Sequence, residues 1–138
     1  MVCIYCGFST RVINSRSQKK SIVTWRRREC ERCGAVFTTR ERPDLEQAIR
    51  IRTPKGRLQP FKRDKLLISL HTSLSHRSTA LGDAEGLVET IIAQLLTYTK
   101  NGLLTAELIR KETSATLLKF DLVAATHYNA YHPINSTA

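Results

Sequence analysis

C-I-Y-C-G at residues 3–7 and C-E-R-C-G at residues 30–34 decide how the first third of this chain folds. Both units have the spacing C-x-x-C-G, and together they hold all four cysteines of the 138-residue sequence. Four thiolates arranged in two such pairs are typical ligands of a structural, tetrahedral Zn²⁺ site. The pattern therefore predicts one Zn²⁺ per chain, bound by Cys3, Cys6, Cys30 and Cys33.

Two other uses of the cysteines remain open from the sequence. Two disulfides would fit an oxidising compartment, but the N-terminus lacks the basic and apolar segments of a secretory signal. A redox C-x-x-C normally occurs once, on a βαβ scaffold, whereas here two units lie within residues 3–34. No run approaches the roughly 18 apolar residues of a membrane span, so we expect a cytoplasmic protein with reduced thiols.

The chain is strongly basic, with a net charge of +10. Residues 1–46 carry ten Lys and Arg against five Asp and Glu, and residues 47–138 carry twelve against seven. The positive charge is therefore shared by both halves and does not belong to a detachable tail. Such surfaces suit polyanions, either nucleic acid or phosphates, although a run of charge is often only a solvated face.

The residues between and after the cysteine units predict a small ribbon of three strands. Short β-rich runs occur at Val12–Ile13, Ile22–Val23 and Val36–Thr39, and the polar residues 15–20 suggest a hairpin connection. A ribbon of this size has little core, so the metal would supply much of its folding free energy. The polar residues 40–46, which include a proline, are the expected linker to the rest of the chain.

Arginines are concentrated within the predicted ribbon. Guanidinium groups suit phosphates and guanine edges, and consecutive residues on a strand point to opposite faces. The alternative is a solvated strand with local ion pairs to Glu29 and Glu31. The candidate DNA-binding residues are Arg11, Arg16, Arg26, Arg27 and Arg28. Trp25 would either stack on a base or pack over the ribbon.

The second half predicts a basic β-hairpin followed by four short helices. Apolar and basic residues alternate over residues 48–52, a turn follows at 53–56, and residues 58–61 lead back. Helical spacing of apolar residues begins near Lys62, and further helices are expected at about 83–98 and 105–119. Gly82-Asp83 is the expected start of the second, and Asp121 is the expected cap of a fourth.

The same region predicts a phosphate site. Lys65 falls in the first turn of a helix, where free N–H groups and the helix dipole favour anions. Arg50 and Arg52 alternate with apolar residues and should project from one face of the hairpin strand. The sequence has no G-x-x-x-x-G-K-[ST] motif and no Ser/His/Asp grouping. These observations favour a binding protein without enzymatic activity.

Several motifs resemble the NrdR family, the bacterial transcriptional repressors of ribonucleotide reductase genes. V-I-N-S-R at 12–16, R-R-R-E-C-x-x-C-G at 26–34 and F-T-T-R-E-R at 37–42 are similar to its zinc ribbon. P-F-x-R-x-K-L at 60–66 and D-L-V-A at 121–124 are similar to its ATP-cone. The implied fold class is α+β, a three-stranded zinc ribbon followed by an ATP-cone of a β-hairpin plus a four-helix bundle.

The resemblance implies a DNA-binding zinc ribbon at residues 1–46 and a nucleotide-binding, oligomerising ATP-cone at residues 47–138. ATP or dATP would occupy the cone, change the homo-oligomer and so control binding to operator DNA upstream of reductase genes. Lys65 matches the phosphate lysine of the family. The family strand V-x-K-R-x-G is replaced here by I-R-T-P-K-G at 51–56, where Arg50, Arg52 or Lys55 would substitute.

Two readings compete with a repressor. ATP-cones also occur as regulatory domains of the reductases themselves, but 138 residues leave no room for a reductase barrel. A zinc ribbon that binds RNA or RNA polymerase, beside a degenerate nucleotide site, is the other alternative. Such a ribbon would bind nucleic acid without preferring a particular duplex.

Overall fold

The computed structural model describes residues 1–19 and 21–133. The chain divides into two compact units, Met1–Pro43 and a second unit that begins at Asp44. Among the described residues, none of the helices combines the length and apolar character that crossing a bilayer requires.

The first unit is an antiparallel sheet of three strands in the order β1-β2-β3. The strands are β1 Thr10–Ser17, β2 Thr24–Cys30 and β3 Val36–Glu41. The expected ribbon is confirmed, but the first two strands differ from the predicted runs. Pairing of Ser17 with Thr24 extends the ladder through residues that were predicted to form the connection. A shift in the β1–β2 register between Val12 and Asn14 marks a bulge.

This ribbon has almost no hydrophobic core. Among its described residues the buried side chains are Cys3, Val23 and Cys30, while Ile4 and Tyr5 are largely exposed. Two of the three buried residues are cysteines of the C-x-x-C-G units. The packing of the first unit therefore centres on the cysteine cluster and not on apolar side chains.

The second unit begins with a small sheet. Helix α1 Leu45–Ala48 is capped by Asp44 and precedes β4 Arg50–Arg52 and β5 Leu58–Pro60. The predicted hairpin is confirmed, since β4 and β5 pair antiparallel. The structure adds β6 Leu103–Thr105, which pairs parallel with β4 and makes it the central strand.

Four longer helices pack with this sheet. They are α2 Arg63–Ser73, α3 Ala80–Tyr98, α4 Ala106–Phe120 and α5 Leu122–Tyr131. Thr105 caps α4 by accepting the N–H of Leu108, and Asp121 caps α5 by accepting the N–H of Ala124. The core is contributed by all four helices and by residues beside the strands. Its members with the least exposure include Leu70, Leu74, Val88, Ile91, Leu95, Leu117 and Ala124.

The prediction that α3 starts at Gly82-Asp83 is wrong. The helix begins at Ala80, and Asp83 lies in its first turn and not at its N-cap. The Asp83 carboxylate accepts from the Thr79 hydroxyl at 2.6 Å and from Arg77 Nε at 2.9 Å. The Cβ of an added side chain at Gly82 would meet no atom within 4 Å, so glycine there does not signal a break.

Gly102 has a specific structural role at the start of β6. Its φ is +71°, and the preceding Asn101 also has a positive φ of 54°. A Cβ at position 102 would lie 2.5 Å from the carbonyl oxygen of Ala48. The Gly102 carbonyl also accepts the N–H of Arg50 at 2.8 Å. Only a residue without a side chain permits this approach of β6 to the end of α1.

Candidate functional site

The four cysteines form one compact cluster in the first unit. Their sulfur atoms all lie within 4.8 Å of one another. Cys3 Sγ is 3.7 Å from Cys33 Sγ, and Cys6 Sγ is 3.5 Å from Cys30 Sγ. A tetrahedral Zn²⁺ with Zn–S bonds of about 2.3 Å requires S···S distances of about 3.8 Å. All four cysteines are free thiols, so the arrangement suits one zinc ion and does not contain the two disulfides of the alternative reading.

The two cysteine units adopt the same local geometry. Gly7 and Gly34 have φ values of 74° and 71° and donate their N–H groups to the carbonyls of Cys3 and Cys30. In each unit a backbone N–H two residues after the first cysteine points at its sulfur, at 3.4 Å. The positive φ explains the glycine that follows each C-x-x-C. Each turn folds its two thiols toward the same point.

Backbone hydrogen bonds prepare Cys30 to act as a thiolate. The N–H groups of Cys33 and Arg32 both donate to Cys30 Sγ, and they lower the pKa of this thiol to about 6. The backbone N–H of Phe8 lowers the pKa of Cys6, but the hydrogen bond with Cys30, burial and the remaining thiols raise it to about 12. A cation among the sulfurs would favour the thiolate form of all four.

The three consecutive arginines of β2 divide between the two faces of the ribbon. Arg26 donates to the Glu41 carboxylate at 2.9 Å and to Ser15 Oγ at 3.3 Å. Arg28 lies on the same face as Arg26, where it donates to Thr10 and has a buried Nε. Arg27 is exposed on the opposite face. Sequence alternation predicted this separation but not that Arg27 would be the exposed one of the three.

We call the Arg27 side of the ribbon the Trp25 face. It consists of two cross-strand rows, Arg16–Trp25–Arg40 and Asn14–Arg27–Thr38. A depression of about 410 Å³ on this face is lined by Asn14, Arg16, Gln18, Trp25, Arg27 and Thr38. The Arg40 guanidinium lies 5.8 Å from the centroid of the Trp25 ring. Arg16 and Arg27 make no ion pair with any described carboxylate, so both are available to an anionic ligand.

Arg11, also predicted to bind DNA, already has a partner. Its Nη2 lies 2.7 Å from Glu29 Oε2, and this carboxylate is the first cause that raises the pKa of Arg11. The pair lies across β1 and β2 at the cysteine end of the Trp25 face. Arg11 therefore contributes less net positive charge to the face than Arg16 or Arg27.

The second unit contains a cavity of about 370 Å³, within the range of small-ligand sites. It lies at the N-terminal end of α2 and against α4 and α5. The lining residues are Ile51, Thr53, Pro54, Gln59, Pro60, Phe61, Lys62, Lys65, Leu66, Ser69, Ala106, Ile109, Arg110, Tyr128 and His132. We call this the cone cavity. Its lining combines three cationic side chains, those of Lys62, Lys65 and Arg110, with apolar residues.

Lys65 is the one predicted nucleotide residue that lines the cone cavity. Arg50, Arg52 and Lys55 are not among its lining residues, which come from Ile51 of β4 and from Thr53 and Pro54 after it. Arg50 is exposed and donates to the backbone carbonyl of Glu46 at 2.7 Å. The structure thus separates Lys65 from the hairpin cations that the sequence grouped with it.

Sequence reasoning did not identify Lys62 and Arg110 as cavity residues, nor the aromatic pair of Tyr128 and His132. The rings of this pair are stacked, with centroids 4.4 Å apart. Burial, followed by the positive charge of Arg110, lowers the pKa of His132. The lowered pKa favours the uncharged form of the His132 ring. The i, i+4 spacing of Tyr128 on α5 and His132 at its C-cap was the available signal.

Comparison with known proteins places these features in one family. The profile described as the Transcriptional repressor NrdR-like, N-terminal domain, a zinc ribbon, matches residues 1–41. The chain is 37% identical over 131 residues to a Transcriptional repressor NrdR of Fervidobacterium nodosum, covering 93% of this chain and 83% of that protein. Identity to proteins of the same name is 34% in Acidobacterium capsulatum, covering 98% and 82% of the two chains, and 31% in Bartonella henselae, covering 94% and 86%. The chain belongs to the NrdR family of transcriptional repressors.

Proposed function

We propose that this repressor binds operator DNA upstream of ribonucleotide reductase genes through the Trp25 face, and that ATP or dATP in the cone cavity controls its oligomeric state. The observation that carries the DNA part is the placement of Arg16 and Arg27 on one rigid sheet face without carboxylate partners. Zinc has a structural role here, because four thiolates fill its coordination shell and leave no position for a catalytic water.

The Trp25 face offers both kinds of contact that DNA recognition needs. Arginine forks bind phosphate oxygens or the O6 and N7 atoms of guanine, and an amide such as Asn14 suits adenine. Asn14 and Arg27 lie directly opposite each other on neighbouring strands, so they can address adjacent base edges. Arg16 and Arg40 flank Trp25 in the other row and suit the phosphate backbone. We infer that the first row reads bases and the second holds the backbone.

Neighbouring arginines on opposite faces provide a matched test. The test measures the affinity of the zinc-loaded chain for a duplex from upstream of the reductase genes and for a scrambled duplex. Arg27→Ala should cost about 1–3 kcal/mol on the specific duplex and relax specificity. Arg26→Ala, which removes the same charge from the Glu41 side, should cost less. Equal losses for the two variants, or no loss for Arg27→Ala, would refute the assignment of the face.

The cone cavity has the features of a nucleotide triphosphate site. Lys62 and Lys65 lie at the N-terminus of α2, where unpaired N–H groups and the helix dipole favour phosphate. Arg110 approaches from α4 without an ion pair to a described carboxylate. The stacked Tyr128 and His132 supply an aromatic wall for a base. We propose binding without hydrolysis, because the described cavity lining contains no carboxylate to hold Mg²⁺ or orient a water.

Calorimetry with ATP and with dATP tests this assignment. Lys65→Ala should weaken binding, since it removes a charge-assisted contact of about 1.5–3 kcal/mol. Lys111→Ala is the control, because it removes the same charge from an exposed position of α4 outside the cavity. Normal binding by Lys65→Ala would assign the phosphate contact to another residue. No binding of either nucleotide by the parent at millimolar concentration would reject nucleotide sensing.

Control of oligomeric state requires that nucleotide binds two assemblies with different affinity. The cavity is lined by residues of β4, α2, α4 and α5, so an occupant touches several elements whose packing it can bias. We propose that this bias selects the assembly that binds the operator. Sedimentation of the chain with and without nucleotide measures the shift, and an unchanged distribution would contradict it.

A further inference from the structure

The β4–β5 hairpin carries a second basic surface that lies outside the cone cavity. Arg50, Arg52, Lys55 and Arg57 are all exposed, and we call them the hairpin cations. No acidic residue occurs between residues 47 and 63. We propose that the hairpin cations bind the phosphate backbone of the same DNA that the ribbon recognises, independently of its base sequence. This inference rests on the proposed function, because it assigns the DNA ligand a second contact surface.

The hairpin cations are not neutralised within the protein. Arg50 donates to the backbone carbonyls of Glu46 and Ile49, which are uncharged acceptors. Arg52, Lys55 and Arg57 form no ion pair with a described carboxylate. Two other arginines of this unit are paired instead: Arg63 is 2.7 Å from Glu89, and Arg77 contacts two aspartates. The hairpin therefore keeps its positive charge for an external anion.

The surface is also held in a fixed shape. The Thr53 N–H donates to the Arg57 carbonyl at 2.8 Å, and the Gly56 N–H donates to the Thr53 carbonyl at 2.9 Å. The Thr53 hydroxyl additionally accepts the Arg57 N–H at 3.1 Å. These bonds close the turn tightly, so binding requires little ordering of the backbone. Rigid placement distinguishes this cluster from a flexible basic tail.

The geometry favours DNA over the nucleotide as the ligand of these residues. Arg50 and Arg52 occupy the β4 face opposite to Ile51, and Ile51 lines the cone cavity. Four unpaired cations within eight residues instead match a backbone that repeats a negative charge at short intervals. A repressor already bound to DNA by its ribbon gains from any further phosphate contact through the released counterions. We therefore assign the hairpin to sequence-independent affinity.

The test is the salt dependence of DNA binding by the full, zinc-loaded chain. The parent, Arg52→Gln/Arg57→Gln and the control Lys111→Gln/Lys119→Gln are titrated on the reductase-upstream duplex and on a scrambled duplex. Each double variant removes two charges, but the control cations lie exposed on α4. The hairpin variant should flatten the plot of log K against log salt by about 1.8, roughly 0.9 for each lost contact. The loss should be equal on both duplexes, and the control should keep the parent slope.

Three results would overturn the inference. They are an unchanged slope in the hairpin variant, an equal change in the control, and a loss of ATP affinity without a loss of DNA affinity. Lys55→Gln, at the tip of the turn, is a second variant for which we expect a slope change of about 0.9; it covers the case in which the double variant misfolds. A parent that binds DNA and depends on Arg27 but not on the hairpin would reject this inference alone. A parent that binds neither duplex would reject the proposed function itself.

Discussion

Removal of zinc should unfold the ribbon and leave the helical unit folded. In the ribbon, Val23 is the one buried apolar side chain besides Cys3 and Cys30 among the described residues. Burial of one valine contributes about 1.5–3 kcal/mol, whereas structural zinc contributes on the order of 10–16 kcal/mol of apparent binding free energy near neutral pH. The metal term is several times larger, so it decides whether this unit folds. The hydrophobic core, from Ile49 to Tyr128, belongs wholly to the second unit.

Chelator titration followed by two-dimensional NMR measures this directly. We expect the amide signals of residues 1–43 to collapse to unfolded positions, while the signals of the second unit stay dispersed. Cys30→Ser should give the same result without chelator. Val23→Ala is the matched control: it removes about 1.5 kcal/mol of burial, at roughly 0.8 per methylene, and should keep both zinc and fold. Dispersed signals from residues 1–43 after complete zinc removal would show that the ribbon folds without the metal.

Two further predictions concern the helical unit and are read from denaturant unfolding. Gly102→Ala should lower the free energy of unfolding by about 2 kcal/mol or more, because it adds left-handed strain of about 1–2 kcal/mol to the close contact with Ala48. The control Gly86→Ala, in open space on α3, should raise the free energy of unfolding by roughly 0.5–1 kcal/mol. Equal effects of the two variants would contradict a special role of Gly102. The hydrogen bond from the N–H of Ala124, followed by that of His76, lowers the pKa of Asp121. The ionised Asp121 carboxylate therefore stabilises the fold above the unfolded Asp pKa of about 3.9, and this stabilisation is lost as the pH falls below that value. Asp121→Asn, which keeps a capping oxygen, should therefore reduce the acid dependence of stability below about pH 4, and an unchanged acid limb would refute this assignment.

Features that depend on neighbouring residues were predictable from the sequence. The C-x-x-C-G units indicated the cysteine cluster, because two-residue spacing and a glycine suffice to form each turn. Asp121 was recognised as a cap, because an N-cap lies directly before its helix. The β4–β5 hairpin followed from alternation and a short turn.

Features that depend on distant contacts were not predictable. Strand β6 has three residues and exists because it pairs in parallel with β4, some fifty residues earlier along the chain. The cone cavity draws Lys62, Arg110 and His132 from three helical regions, and no local pattern connects them. From their alternation with apolar residues, the sequence placed Arg50 and Arg52 on one strand face and assigned that face to the phosphate site. The position of the cavity on the other side of β4 became visible only with the packed helices.

Native mass spectrometry of the purified chain, with and without ATP and dATP, tests the central claim most directly. One spectrum reads the zinc content, the nucleotide content and the number of chains in each assembly. We expect one zinc per chain, bound nucleotide, and a distribution of assemblies that changes when nucleotide is added. A chain that binds zinc but keeps the same assembly and no nucleotide under all conditions would contradict it.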